Sequence, residues 1–177
     1  MALTVRKIEL WRGEVDNKPG TLSGVLGPLA DAGADLQVVI AYHISGTEKS
    51  GIELFPVKGR GSNGKAKAAG LAPSPQTVLH VEGDNRAGLG NELAKALAEA
   101  GVNISFLVAQ TIAKKFSAVF GFGSADDAKK ATAAIKKAGA AKKASAKKPA
   151  AAKKTATKAA ATSKPSPKAK PAVVSHA

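Results

Sequence analysis

The chain has no cysteine among its 177 residues, so disulfides, thiolate catalysis and cysteine-ligated zinc are excluded. No apolar run approaches the roughly 20 residues that cross a bilayer. Residues 1–15 also lack the apolar stretch of a secretory signal. Both absences lead to the expectation of a soluble, cytoplasmic protein with no membrane partner. Histidine is scarce: His43, His80 and His176 lie far apart without the spacing of metal ligands, and structural or solvent-facing roles are expected of them. The glycine-rich run at residues 59–64 lacks the Walker spacing and reads as a flexible loop. No nucleophile is placed beside a base, so the expectation is a non-enzyme with no metal and no cofactor.

Acidic residues are missing from one end only. Residues 1–127 carry 13 basic and 13 acidic side chains, whereas residues 128–177 carry 14 lysines and no acid. The formal charge of +14 therefore belongs to the last fifty residues, and the basic pI describes an appendage to a neutral body. From residue 140 to 172 the chain reduces to Ala, Lys, Pro, Ser and Thr, with lysine doublets at Lys142 and Lys143, Lys147 and Lys148, and Lys153 and Lys154. Without large apolar side chains such a segment cannot offset its ordering entropy, so a disordered tail is expected. Its lysines can neutralise phosphates, but with no arginine or aromatic residue they cannot stack on bases or read their edges. The composition is similar to linker-histone and bacterial histone-like tails, which implies sequence-independent binding of DNA or RNA; the plainer reading is a solubilising extension.

The neutral body contains one unit twice. A displacement of 68 positions superposes Glu14 to Ile44 on Glu82 to Ile112 with ten identical pairs in 31, among them Asp16/Asp84, Gly20/Gly88, Leu29/Leu97, Gly33/Gly101 and Ala41/Ala109. The first unit opens on loose alternation over residues 3–15, read as one long strand with room for a bulge. Asp16 to Gly20 is a turn in which Asp16 or Asn17 caps the next helix and Pro19 presets its dihedral. Leu22, Val25, Leu26 and Leu29 then recur at helical spacing up to Gly33. Residues 36–44 and 51–57 read as strands, and a short, loosely held helix is expected over 63–71. Trp11 reads as core packing, and Glu53, alternating with Ile52 and Leu54, as the wet face of its strand.

The second unit repeats this order: a strand at 76–82, a helix at 88–100, strands at 102–112 and 116–122, and a helix at 126–137 with acids at its start and lysines at its end. Keeping residues 119–122 in line with 54–57 requires a hairpin turn about three residues tighter. The opening strand of the second unit is also placed to complete the sheet of the first. The expected architecture is an α+β fold of two small units packed side by side and edge to edge, helices on one face of an antiparallel sheet, with units at 1–72 and 73–139 and a tail at 140–177.

The turn Asp16-Asn17-Lys18-Pro19-Gly20, followed by a helix ending Leu29-Ala30-Asp31-Ala32-Gly33 before a β-branched strand, resembles the ACT domain, a ligand-sensing module. Leu97-Ala98-Glu99-Ala100-Gly101 repeats the same passage. The resemblance covers residues 3–138 and is closest to stand-alone tandem ACT proteins. It implies ferredoxin-like units and an amino acid held where two units pair. Carried over, it points to Asp16, Asn17, Pro19, Gly20, Thr21 and Leu22 in the first unit, and to Asp84, Asn85, Arg86, Gly88 and Leu89 in the second. Val39, Ala41, Leu107 and Ala109 would flank the pockets. The physical chemistry agrees, since amides at a helix start can hold a carboxylate and a neighbouring Asp or Asn an ammonium; an ordinary capped turn has the same composition. The second unit departs from the pattern with Ala87 for Pro19 and Gly90 for Leu22, leaving the first turn the better formed.

Two functions follow. One is a non-catalytic regulatory sensor that binds an amino acid or related metabolite, as a homodimer or an intramolecular ACT pair. The alternative is a nucleic-acid-associated protein that binds through its tail, the paired units serving as a dimerisation scaffold.

Overall fold

The computed structural model describes residues 3–141. In chain order the elements are β1 (Thr4–Ile8), β2 (Trp11–Asp16), α1 (Thr21–Asp31), β3 (Val38–His43), β4 (Lys49–Phe55), α2 (Arg60–Ala68), β5 (Ala72–Pro73), β6 (Thr77–Asp84), α3 (Leu89–Glu99), β7 (Phe106–Ile112), β8 (Lys115–Phe122) and α4 (Ala125–Ala141). They build an α+β fold with two antiparallel four-stranded sheets, ordered β3-β4-β2-β5 and β1-β6-β8-β7. The tail lysines Lys142, Lys143, Lys147, Lys148, Lys153 and Lys154, and His176, lie outside the described residues.

Each sheet is roofed on one face by its own two helices. On the first, Val25 and Leu29 of α1 and Ala66 of α2 close over Trp11, Ile52 and Leu54. On the second, Leu89, Leu93 and Leu97 of α3 and Ala131 and Ile135 of α4 close over Leu79, Val81, Phe120 and Phe122. Both α1 and α3 end alike. Gly33 and Gly101 take positive φ, and the amides of Ala34 and Val102 reach back to the carbonyls of Leu29 and Leu97, so a left-handed residue satisfies the last carbonyls of each helix. No described helix is long and apolar enough to cross a membrane.

Residues 3–15 are not one strand. Leu3 and Val5 pack toward the core under α3 and α4, whereas Ile8 and Leu10 enter a third cluster with Val38, Val78 and Val119. The apolar phase thus shifts between Val5 and Ile8, and the chain leaves one sheet to start the other. β1 pairs with β6 of the second unit, Thr4 opposite Glu82 and Ile8 opposite Val78. β2 pairs with β4 and with β5, Trp11 lying opposite Pro73. The second unit's opening strand does not complete the first sheet; β5 does, and β1 completes the second. The first unit is therefore inserted between two neighbouring strands of the second, and residues 4–8 fall on the far side of a boundary drawn at 72/73.

The third cluster also explains how the units meet. Val38, with Ile40 and Phe55 beside it, comes from the first sheet, and Ile8, Val78 and Val119, with Phe106, from the second, all on faces turned away from the helices. The sheets pack through these faces. The edge-to-edge pairing expected within the chain is not made: among the described residues no ladder joins the two sheets, and β3 and β7 stand at open edges. Glu53 lies on the same covered side. It is 5% exposed, not wet, because alternation assigns a face without revealing what lies over it. Its carboxylate accepts a hydrogen bond from Tyr42 Oη at 3.1 Å and sits 3.8 Å from Arg12 Nε. His80, also buried, meets Ser117 Oγ at 2.9 Å and the Arg6 guanidinium, and burial holds its imidazole below the usual basicity.

Two further readings need correction. The turn between β7 and β8 is Ala113-Lys114, with Ala113 at φ 53°. In ladder register the second hairpin is two residues tighter than the first, not three, since Lys49 faces Asp16 and Lys115 faces Asp84. Leu54 therefore corresponds to Phe120, each opposite the matching strand residue, Trp11 or Leu79. A one-residue slip exchanges the faces, which is why Val119 lies between the sheets and Phe120 under the helices. Helix α2 begins three residues earlier than expected, because Gly59 at φ 87° turns the chain and Ser62 and Ala66 both find cover.

Candidate functional site

Strand β2 ends and α1 begins around the turn at residues 16–20. The helix is capped by Gly20 at φ 89°, no described side chain accepts from its first amides, and Ser23 Oγ donates to the Gly20 carbonyl at 2.8 Å. The expected caps are committed elsewhere. Asp16 lies opposite Lys49 in the ladder, accepts a hydrogen bond from its ammonium at 2.6 Å, and has Lys18 Nζ 3.4 Å from its other oxygen. Asn17 accepts from Ser50 Oγ at 3.0 Å while its amide donates to the Glu48 carbonyl at 2.9 Å. Both side chains reach across to β4, so the helix start is left to the positive φ of Gly20; the Thr21 amide donates to the Lys18 carbonyl at 3.2 Å, and the amides of Leu22 and Ser23 are the ones left for a ligand.

Beside this turn is a cavity of about 260 Å³ lined by Val15, Asp16, Asn17, Lys18, Thr21, Leu22, Ala41, Tyr42, His43, Ser50 and Ile52. Of the residues singled out for the first unit, Asp16, Asn17, Thr21, Leu22 and Ala41 are in its wall. Gly20 caps the adjoining helix, Pro19 lies in the turn, and Val39 is exposed on β3 without lining the cavity. The wall comes from one unit alone, and Ala41, Tyr42 and His43 in it belong to β3, whose outer edge has no partner strand among the described residues. Sequence reasoning missed Val15, Lys18, Tyr42, His43, Ser50 and Ile52. Their signal was the hairpin register, which sets Lys49 opposite Asp16 and Ser50 opposite Val15 and His43. His43 is held in place by its Nε2–H, which donates to the Thr47 carbonyl at 2.7 Å.

The second turn repeats the frame with a different filling. Asp84 lies opposite Lys115 and accepts from it at 2.7 Å, and the Asn85 amide donates to the Lys114 carbonyl at 2.7 Å. Gly88 caps α3 in the left-handed conformation. Arg86, however, folds onto Glu92 of the helix, and Leu89 is buried in the core at 2% exposure. A cavity of about 410 Å³ reaches Asp84, but its other walls are Thr4, Glu82, Gly83, Lys115, Phe116 and Ser117. Arg86, Gly88, Leu107 and Ala109 are not in those walls. Leu107 and Ala109 lie exposed on the open strand β7. Among the described residues no group of His, Asp and Glu is arranged to hold a metal.

Lys49, then Lys18, holds the Asp16 carboxyl below the usual carboxylate pKa, the direct hydrogen bond being the main cause. An acid whose folded pKa is depressed adds stability above its unfolded pKa, near 3.9, and loses it as pH falls through the lower folded value. Replacing Lys49 with Met is expected to move the Asp16 midpoint back up toward the ordinary value in an NMR titration of the side-chain carboxyl. An unmoved midpoint would show that the ion pair is absent in solution.

No family model and no curated protein matches the sequence. Solved structures do match the fold. A protein from Bacteroides thetaiotaomicron aligns over 76% of this chain and 89% of its own at TM-score 0.60 and 18% identity. The ligand-free regulatory subunit of aspartate kinase from Thermus thermophilus aligns over 78% and 97% at TM-score 0.56 and 15% identity. The corresponding subunit from Thermus flavus covers the same shares at 0.52 and 16%.

Proposed function

We propose that the chain is a non-catalytic, cytoplasmic regulatory sensor of the ACT type, which takes an amino acid or related small metabolite into the cavity beside Asp16 to Leu22. The observation that carries this reading is the cavity itself: it adjoins a helix start with no side-chain cap, and polar groups (Asn17, Thr21, His43, Ser50) and apolar ones (Leu22, Ala41, Ile52) converge on it. A ligand carboxylate would meet the open helix amides, and the Asn17 carbonyl would meet its ammonium. The volume suits one small metabolite. Likeness in fold to aspartate kinase regulatory subunits supports a regulatory role.

A second copy would complete the site. Strand β3 presents an unpaired edge with Val39 and Tyr42 exposed, and pairing two such edges would set a second chain beside the β3 wall of the cavity while removing a hazardous free edge. The within-chain pairing is made by sheet faces, so this completion is between chains. The test is a thermal-shift screen of the twenty amino acids on the full chain. A ligand at 100 times its dissociation constant adds about 2.7 kcal/mol. Twenty flat melting curves would end the sensor reading.

A further inference from the structure

Between Glu53 and Glu82 the sequence holds four cations, Lys58, Arg60, Lys65 and Lys67, and no acid. The fold gathers them on α2 and the loop that enters it, and all four are exposed. Lys58 sits over the Phe55 ring, 6.0 Å from its centre. Elsewhere carboxylates answer many of the surface cations: Asp16 holds Lys18 and Lys49, Asp84 holds Lys115, and Asp126 holds Lys129. Arg60, Lys65 and Lys67 form no ion pair with any described residue.

The helix has an unusual outer side. It buries Ser62 and Ala66, and at 100° per residue Arg60, Gly64 and Lys67 fall opposite them, with Gly61 alongside. Two cations about 10.5 Å apart along the axis thus frame a strip of bare backbone. Glycine is a poor helix former, and the interior gives no reason for it here. A methyl group at Gly64 would meet nothing within 4 Å, and one at Gly61 would meet only Ala32 at an ordinary 3.7 Å. A partner whose own backbone comes close to the helix does supply a reason.

We propose that α2 with Lys58 is a contact face for the phosphate backbone of duplex DNA, acting beside the lysine-rich tail. A face of flexible cations whose one neighbouring ring, Phe55, is half-buried beside Lys58 binds phosphates without reading bases. The ten lysines of residues 140–177, a segment without acids, have the same chemistry, so two separate groups of cations can engage one polyanion, which raises its apparent affinity. This site is independent of the ligand cavity and would stand if that cavity proved empty.

The test is anisotropy of a labelled 30-bp duplex of mixed sequence, titrated with salt, using the full chain throughout. The variant R60A/K65A/K67A is compared with K7A/K95A/K114A, which removes the same charge elsewhere. Loss of three phosphate contacts should reduce the magnitude of the log-log salt slope by about 2.7 and weaken binding near 0.1 M salt on the order of a hundredfold. The control triple should change affinity by less than about twofold, and R60K should keep it. Equal losses in both triples would reduce the effect to net charge and overturn the proposal, as would no loss in the α2 triple. Competition by polyglutamate at equal charge concentration, as effective as unlabelled duplex, would reassign the face to an acidic protein. Alanine raises helix propensity at exposed positions, so the variant should fold. If its circular dichroism says otherwise, R60Q/K65Q/K67Q gives the same comparison.

Discussion

A chain that begins at Leu10 is expected to lose the second unit's stable fold while leaving the first unit's strands a complete set. β1 supplies five ladder pairs to β6, covers Val78 and Val81, both fully buried, and carries Arg6 to Glu82 and the buried His80. Ile8 alone, 6% exposed, contributes about 1.5–3 kcal/mol by burial. With Leu3 and Val5 removed from the α3/α4 core and an apolar edge uncovered, the loss is about 5 kcal/mol, a large part of the 5–15 kcal/mol that holds a domain folded. Urea unfolding followed by circular dichroism measures it. Trp11 sits in the first core, so its fluorescence should still report a folded environment when the second unit has melted. Moving residues 3–8 to follow Ala141 through a short linker should restore the transition, because the strand then re-enters the sheet from the other end of the chain. If the shortened chain unfolds at the same urea concentration as the intact one, β1 is not the strand that closes this sheet.

The second large effect concerns the cavity. Ala41 lines it from β3 and lies opposite Ile52, so Ala41→Phe should fill the space while suiting the strand, since aromatic side chains favour β structure. For whichever amino acid raises the melting temperature of the parent chain, the whole shift, about 2.7 kcal/mol at 100 times the dissociation constant, should disappear. Thr4→Phe, in the wall of the cavity beside Asp84, should leave it intact. The comparison separates a ligand bound beside Asp16 from one bound beside Asp84: loss in the second variant and retention in the first would move the site to the other unit.

How far the fold was readable depended on how local the cause was. The repeated turn, the helix and its glycine stop are set within about fifteen residues, and Gly20, Gly33, Gly88 and Gly101 each take the positive φ that such a turn or stop requires. Sheet membership is not local. Thr4 finds its partner at Glu82, and alternation can show which side chains share a face but not which of two sheets the strand joins. The misjudged hairpin turns through Ala113, which takes a left-handed φ without glycine's usual signal. Glu53 was assigned to the correct side of its strand, and only the packing of the two sheets reveals that this side is covered.

The candidate site was readable in the same proportion. Asp16, Asn17, Thr21 and Leu22 are neighbours in sequence, and the turn brings them to one cavity with Ala41. Their chemistry was less legible. A capping role fits the composition of the turn, but Lys49 and Ser50, from a strand 33 residues away, engage the two side chains first.

The insertion of one unit between two strands of the other sets a schedule for synthesis. After Ile8 leaves the ribosome its partner Val78 emerges some seventy residues later, a delay of roughly 4–14 s at ordinary elongation rates. During that interval residues 11–73 can close on themselves, Trp11 against Pro73, while the leading strand waits with its apolar side chains uncovered. Arg6 and Lys7, set among them, are the charges that keep a waiting strand from pairing with a stranger.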